Sequence, residues 1–172
     1  MESVKIVFLS ILAGILYGIL HDQITARICI EYFTVFHPRL IASDSPTLLG
    51  LLWGVIATWW AGAILGIPLA LAARAGSRRK LAAKDLLPYI ARLLLLMAIS
   101  AAACGTVGFA LTSKGSLSPP YWVRIQIPPS RFSVFMADWW AHNASYDSAF
   151  LGGFVMCFLV YRRRGNRNEG SR

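Results

Sequence analysis

The sequence has few charged residues for its length. Only 15% of its 172 residues are Asp, Glu, Lys or Arg, and just eight of them are acids. A soluble domain normally has about a quarter of its residues charged, because its surface must be wetted. The composition therefore excludes a disordered chain and argues against an ordinary soluble enzyme, while the length suits a single domain, 1–172.

Familiar sequence motifs are also missing. The three cysteines form no C-x-x-C pair, which excludes a disulfide scaffold and a zinc ribbon. The chain contains no H-E-x-x-H, E-x-x-H or G-x-S-x-G, so no common metalloprotease, di-metal or hydrolase motif indicates an activity. The sequence therefore leaves open whether the protein is an enzyme.

Long apolar runs dominate what is present. A helix needs roughly 20 apolar residues to cross the hydrocarbon core. Four runs approach or exceed this length, at about 4–20, 47–73, 93–112 and 148–161. They predict an all-α integral membrane protein, an antiparallel four-helix transmembrane bundle with two extracytoplasmic loops, 21–46 and 113–147. The first run lacks the strongly basic start and the A-x-A-like cleavage site of a signal peptide, so we interpret it as a retained span.

Basic residues are distributed unevenly between the two ends of the predicted bundle. Of the 17, twelve lie in three places: Lys5, the 74–92 loop and the tail 162–172. The positive-inside rule places this end, with both termini, in the cytoplasm. The same residues are expected to contact anionic lipid headgroups, so the bilayer, and not nucleic acid, is the predicted partner of the basic charge.

Small residues recur at a spacing of four within the predicted spans. Lipid solvates Leu as well as a neighbouring helix does, so helices associate where small side chains let the backbones approach. The pairs are Gly14 and Gly18, Gly50 and Gly54, Gly62 and Gly66, and Ala101 and Gly105. They predict close packing of the spans, with a kink at Pro68 in the second.

Polar residues follow the first predicted span at helical spacing. Gln23, Arg27 and Glu31 recur every four residues, so a continuing helix places them on one face. We therefore predict an ion pair between Arg27 and Glu31. His37-Pro38 ends this segment, because the residue before a proline is pushed out of the helical region.

A second polar cluster precedes the fourth predicted span. Asp138, His142 and Tyr146 are spaced four apart and share one helical face. A carboxylate beside an imidazole suits a metal ligand or a general base. In an antiparallel bundle this cluster lies near the outer end of the first span, which predicts a site for a divalent transition metal, Zn, Fe or Mn. The predicted ligands are His21, Asp22, Asp138 and His142, with His37 and Glu31 nearby. The alternative is a set of interfacial polar caps that bind no metal.

The segment HDQITARICIEYFTVFHP at 21–38 resembles a segment of small bacterial multi-pass membrane proteins of unknown function. The resemblance covers about a tenth of the chain. It implies a bacterial cell (inner) membrane, and it implies that the polar residues of this segment act as one unit: His21, Asp22, Arg27, Glu31 and His37. It brings no established activity.

Three functions are compatible with these features. The first is a non-enzymatic accessory or assembly component that works through a protein partner or as a homo-oligomer. The second is a metal-binding protein or metal-dependent enzyme with its site at the outer surface. The third is a small oligomeric channel or transporter, against which we count the lack of acids, histidines and lysines deep within the predicted spans.

Overall fold

The computed structural model describes residues 1–165, and all the regular structure among them is helical. From residue 166 onward, the predicted basic tail lies outside the described residues. The described part of the chain contains six α-helices: α1 (Glu2–Ile28), α2 (Pro46–Ile56), α3 (Trp59–Arg74), α4 (Leu87–Ser113), α5 (Tyr121–Arg124) and α6 (Phe132–Arg163). Three short helical segments connect them: a π-helix at Tyr32–Phe36 and 3-10 turns at Ala83–Leu86 and Pro129–Arg131.

Within residues 1–165, four helical segments are long and apolar enough to cross a membrane, the number that the sequence predicts. They are Glu2–Ile28, Pro46–Arg74, Ala83–Ser113 and Pro129–Arg163. The predicted outer loop reaching residue 147 is wrong, because α6 already begins at Phe132. The stretch 132–147 has no Gly or Pro to end a helix, and Pro129 begins the preceding turn, where a missing N–H does no harm. The first loop is likewise shorter than predicted, because α1 continues to Ile28.

The second span is two helices rather than one. The helix is interrupted at Ala57–Thr58, between α2 and α3, whereas α3 continues through Pro68 without interruption. Thr58 turns its hydroxyl back to the Gly54 carbonyl, and Tyr146 of α6 donates a hydrogen bond to the Ala57 carbonyl at 2.7 Å. A break inside a membrane is tolerated where neighbouring side chains satisfy the freed backbone groups in this way.

The helices pack as two pairs joined along one side. α1 packs on α2 and α3, α4 packs on α6, and α3 bridges the pairs by contacting α6. Glycines set the closest approaches: a Cβ on Gly54 would lie 2.5 Å from the Cα of Ile19, and one on Gly62 would lie 2.6 Å from the Ser10 carbonyl oxygen. The glycine spacing therefore did indicate the helix interface.

The bundle has a basic end and a histidine end. At the basic end, the start of α1 meets the loop after α3, where Glu2 accepts a hydrogen bond from the Ala83 N–H. The guanidinium of Arg164, almost fully buried, donates to the Ala72 carbonyl in the last turn of α3, which caps that helix. It also donates to backbone carbonyls of the following loop. At the histidine end, α1 and α6 bring His21 and His142 together. Tyr17 contacts Ser145 and His21 contacts His142, so the contacts run in opposite order along the two helices and α1 and α6 are antiparallel.

Candidate functional site

Three chain segments converge at the histidine end: the last turns of α1, the first turns of α6 and the segment 29–37. Without Gly or Pro after Gly18, α1 stays helical through His21 and Asp22. Facing them, α6 contributes Asp138 and His142, one turn apart. Asp22 and Asp138 are only 4% and 2% exposed, so these polar side chains lie within the bundle rather than at its wetted surface.

The two ring nitrogens of His142 have different partners. Nδ1 lies 2.8 Å from the backbone carbonyl oxygen of Asp138 and donates its hydrogen to it, since a carbonyl can only accept. Nε2 is left with a lone pair and lies 3.2 Å from Oδ1 of Asp22. Two acceptor atoms therefore face each other in a buried place, which is unfavourable without a proton or a cation between them.

Three side chains at this end group their ligand atoms at a spacing somewhat wider than that around a bound metal ion. One ligand atom each from His21, Asp22 and His142 lies within 4.8 Å of the others, whereas two ligands of a tetrahedral Zn site lie about 3.3 Å apart. Nε2 of His21 is buried with no hydrogen-bond partner. The structure thus brings together three of the four residues that the sequence analysis named as ligands.

Asp138, the fourth predicted ligand, has a different place. Its Oδ1 lies 3.5 Å from Nδ1 of His142, on the opposite side of the ring from Asp22, and it does not belong to the group of ligand atoms. The ring of His142 is oriented by the Asp138 backbone carbonyl, which takes the Nδ1 hydrogen. The Asp138 carboxylate makes no hydrogen bond to the ring, but a negative charge at this distance raises the basicity of the imidazole.

Aromatic rings of the 29–37 segment cover the site. Tyr32 stacks on His142 with ring centroids 4.3 Å apart, and Phe33 meets the same ring edge-on. His37 packs against Trp53 and donates from Nδ1 to the Tyr32 carbonyl at 2.9 Å. Burial lowers the pKa of His37, and the Tyr32 carbonyl opposes this only in part, so the ring is neutral at pH 7. His37 is near the site, as predicted, but outside the group of ligand atoms.

Glu31 does not pair with Arg27, so the predicted ion pair is wrong. α1 ends at Ile28 and Cys29 is extended, which destroys the helical spacing between the two residues. Arg131 instead binds both carboxylate oxygens of Glu31, at 2.8 and 2.9 Å. Arg27 donates to the side chains of Gln23 and Thr47. Glu31 therefore ties the 29–37 segment to the start of α6 and lies outside the metal cluster.

Replacing Glu31 with Gln is expected to lower the free energy of unfolding by about 1.5–3 kcal/mol at pH 7, since it removes charged hydrogen bonds from a half-buried pair. The matched change Arg27→Gln removes exposed contacts and is expected to have an effect within about 0.5 kcal/mol. Thermal unfolding in detergent measures both effects, and equal losses in the two variants would contradict the pairing of Glu31 with Arg131.

The stability contributed by this pair depends on pH. Burial raises the pKa of Glu31, but hydrogen bonds, led by the one from Arg131, bring that pKa below its usual 4.5. The contribution of the pair is therefore complete above pH 4.5 and declines as pH falls further.

A cavity of about 110 Å³ continues from the site into the bundle. Hydroxyl groups lie along it, and the hydroxyls of Tyr17 and Ser145 hydrogen-bond at 2.8 Å. The break at Ala57–Thr58 also lines it. The sequence reasoning missed Tyr17 and Ser145, although Tyr17 lies one helical turn before His21 and that spacing could have indicated it.

The lengths of the helices also change the reasoning about transport. Asp22, Asp138 and His142 lie on helices long enough to cross a membrane, so acids and histidines do occur on the spanning helices, at the histidine end of the bundle. The site is a semi-enclosed group of imidazoles and carboxylates with an adjoining cavity.

Comparisons with known proteins give no relative. No protein-family model matches the chain, and no curated protein or solved structure matches it.

Proposed function

We propose that the protein is an integral membrane metal-binding protein that holds one divalent transition metal, Zn, Fe or Mn, at the histidine end. The observation that carries this proposal is the group of ligand atoms from His21, Asp22 and His142 that lie within 4.8 Å of one another, with Nε2 of His21 buried and without a hydrogen-bond partner. One metal ion bound by these three residues would satisfy their free acceptor atoms together. Interfacial caps do not need such a group, because capping groups donate to and accept from water.

The charge of the residues around the site favours the binding of a cation. No Lys or Arg occurs among the described residues that line the cavity, so no permanently charged cation neutralises the Asp22 carboxylate there. Polar and ionisable groups buried in a membrane are costly unless they are paired or bound to an ion. These features favour metal binding over the accessory role, which needs no buried ligand set.

Three protein ligands would leave part of the metal's coordination sphere free. A metal held by His21, Asp22 and His142 would then supply an open coordination position and Lewis acidity. On the protein side, the backbone carbonyl of Asp138 holds the ring of His142 in place, and the Tyr17 and Ser145 hydroxyls border the adjoining cavity. Tyr32 and Phe33 cover the ligands, which limits the access of water from the end of the bundle.

We further propose that the histidine end faces away from the cytoplasm, so that both termini are cytoplasmic in an antiparallel bundle with two outer loops. The basic residues support this, since twelve of 17 belong to the basic end in the sequence. Those near the bilayer suit anionic headgroups. The resemblance of the segment 21–38 supports a bacterial cell membrane.

Elemental analysis of the purified protein, prepared without a histidine tag, tests the proposed function. We expect about one Zn, Fe or Mn per wild-type chain and a large loss in His21→Ala. His37→Ala is the matched control, because His37 lies at the same end but outside the group of ligand atoms. A wild-type protein without metal after growth with all three metals, or full retention in His21→Ala, would contradict the proposal.

A further inference from the structure

The cavity beside the candidate metal site continues towards the basic end of the bundle, where its lining becomes apolar. It has a volume of about 110 Å³ and lies between α1, α3, α4 and α6. Protein interiors are close-packed and keep few voids larger than a water molecule, so an internal space of this size indicates an occupant. The side chains at this inner end belong to the core of the bundle: Leu65, Ile90, Leu93, Met97 and Met156.

The inner end of the cavity is unsuited to water. A buried water molecule needs about two to four polar partners, and only apolar side chains are present there. The backbone groups of these residues are bonded along α3, α4 and α6. An apolar cavity of roughly 150 Å³ stays dry and takes up benzene. The inner end therefore suits the apolar body of a molecule of about benzene size.

The hydroxyl groups along the cavity have few free hydrogens. Ser10, Thr58 and Tyr146 line the cavity, and each donates its hydroxyl hydrogen to a backbone carbonyl. The hydroxyls of Tyr17 and Ser145 share one hydrogen bond at 2.8 Å, so only one of their two hydrogens is free. An anion that enters the cavity therefore lacks the donors that would replace its water.

The charge of the metal ion does not favour an anion either, because two carboxylates balance it. Asp22 binds the ion as a carboxylate, and the carboxylate of Asp138 lies 3.5 Å from Nδ1 of His142. Histidines bind metals as neutral imidazoles. A divalent ion with these two carboxylates has no net charge, so an uncharged ligand matches the site. A lone pair of such a ligand can occupy the open coordination position.

We propose that the cavity is the substrate pocket of the metal site and binds a small uncharged molecule whose apolar body fills the inner end. A single oxygen or nitrogen atom of this molecule lies towards His21, Asp22 and His142, where it completes the coordination of the metal. This inference rests on the proposed function, because the metal is the partner of that lone pair.

Protein loaded with Co²⁺ tests the proposal, because the visible absorption of Co²⁺ reports its coordination. Three probes of similar size are compared at neutral pH: pyridine, a ring with a nitrogen lone pair; benzene, the ring alone; and butyrate, an anion. We expect pyridine to change the spectrum at a concentration several-fold lower than butyrate. Benzene should leave the spectrum unchanged and raise the half-saturating concentration of pyridine several-fold, because it competes for the apolar end.

Two variants change the size of the pocket in opposite directions. Ala149→Leu fills it, since Ala149 lines the cavity and is buried, and should raise the half-saturating concentration of pyridine several-fold. Ala103→Leu is the matched control, because Ala103 is exposed and does not line the cavity. Met156→Ala enlarges the pocket and should admit 4-ethylpyridine, which the wild-type protein excludes. This second variant keeps the test decisive if Ala149→Leu fails to fold.

Each alternative has its own result. Equal affinity for butyrate and pyridine would make this a site for anions and overturn the proposal. Pyridine binding that neither benzene nor a change of pocket size alters would place the open coordination position outside the cavity, which also overturns it. Metal content of the same samples separates the two proposals. Bound metal without competition by benzene removes only the pocket ligand, whereas a protein that binds no metal removes the proposed function and this inference with it.

Discussion

We expect His142→Ala to abolish measurable metal binding and Asp138→Asn to weaken it by about 10–100-fold. His142 supplies Nε2, the atom that faces Asp22 at 3.2 Å, so its loss removes a ligand and leaves the Asp22 carboxylate unpaired. Asp138 lies behind the ring at 3.5 Å and acts only through His142. A smaller effect is therefore expected from Asp138→Asn, whose amide keeps the shape of the side chain.

Competition with a chromophoric chelator at pH 7.5 measures both affinities. Asn143→Ala is the matched control, because Asn143 follows His142 on α6 and is exposed. Binding by the wild-type protein should also weaken as pH falls, since protons compete with the metal for the imidazole nitrogens. If Asp138→Asn weakened binding as strongly as His142→Ala, Asp138 would be a ligand itself and the geometry described here would be incomplete.

The elements of the fold that depend on composition could be predicted from the sequence. The four spans follow from apolar length, and the α1 interface with α2 and α3 follows from glycines spaced four apart. The ends of the helices were harder to predict, because an apolar run ends at its first charged residue whereas the helix itself can continue. α1 and α6 continue through such residues, and their polar side chains are buried against each other. His142 therefore lies on a helix long enough to span a membrane, although the sequence analysis placed it in a loop.

Features that depend on distant contacts could not be read from local spacing. The Arg27–Glu31 prediction assumed a continuous helix, whereas the partner of Glu31 is Arg131, a hundred positions away. The break at Ala57–Thr58 is also tertiary, since it is stabilised by Tyr146 of another helix. The histidine cluster was predictable in part because helical spacing on α6 and adjacency on α1 supplied two pairs of ligands. Only the packing shows that Asp138 lies behind the ring.

The second large effect is expected from Gly18→Ala, which should destabilise the protein by about 1–3 kcal/mol. A Cβ at Gly18 would overlap the Gly54 carbonyl oxygen and the Thr58 side chain, and the backbone of α2 cannot move aside without opening the interface. Gly152→Ala is the matched control, because a Cβ there meets only the ends of the Leu93 and Leu96 side chains. Helix propensity favours alanine by about 1 kcal/mol at both positions, so it does not explain a difference between them.

Unfolding in detergent micelles measures the two stabilities, and metal titration of the same samples measures a second consequence. Gly18 lies one turn before His21 and Asp22 and lines the cavity. Separating α1 from α2 therefore shifts two ligands relative to His142, and a displacement of about 1 Å is enough to impair a preorganised site. We expect Gly18→Ala to lower metal affinity and Gly152→Ala to leave it unchanged. Equal stability of the two variants would mean that α1 and α2 are not in close backbone contact, and normal metal affinity in a destabilised Gly18→Ala would mean that the ligands are held by α6 and the 29–37 segment instead.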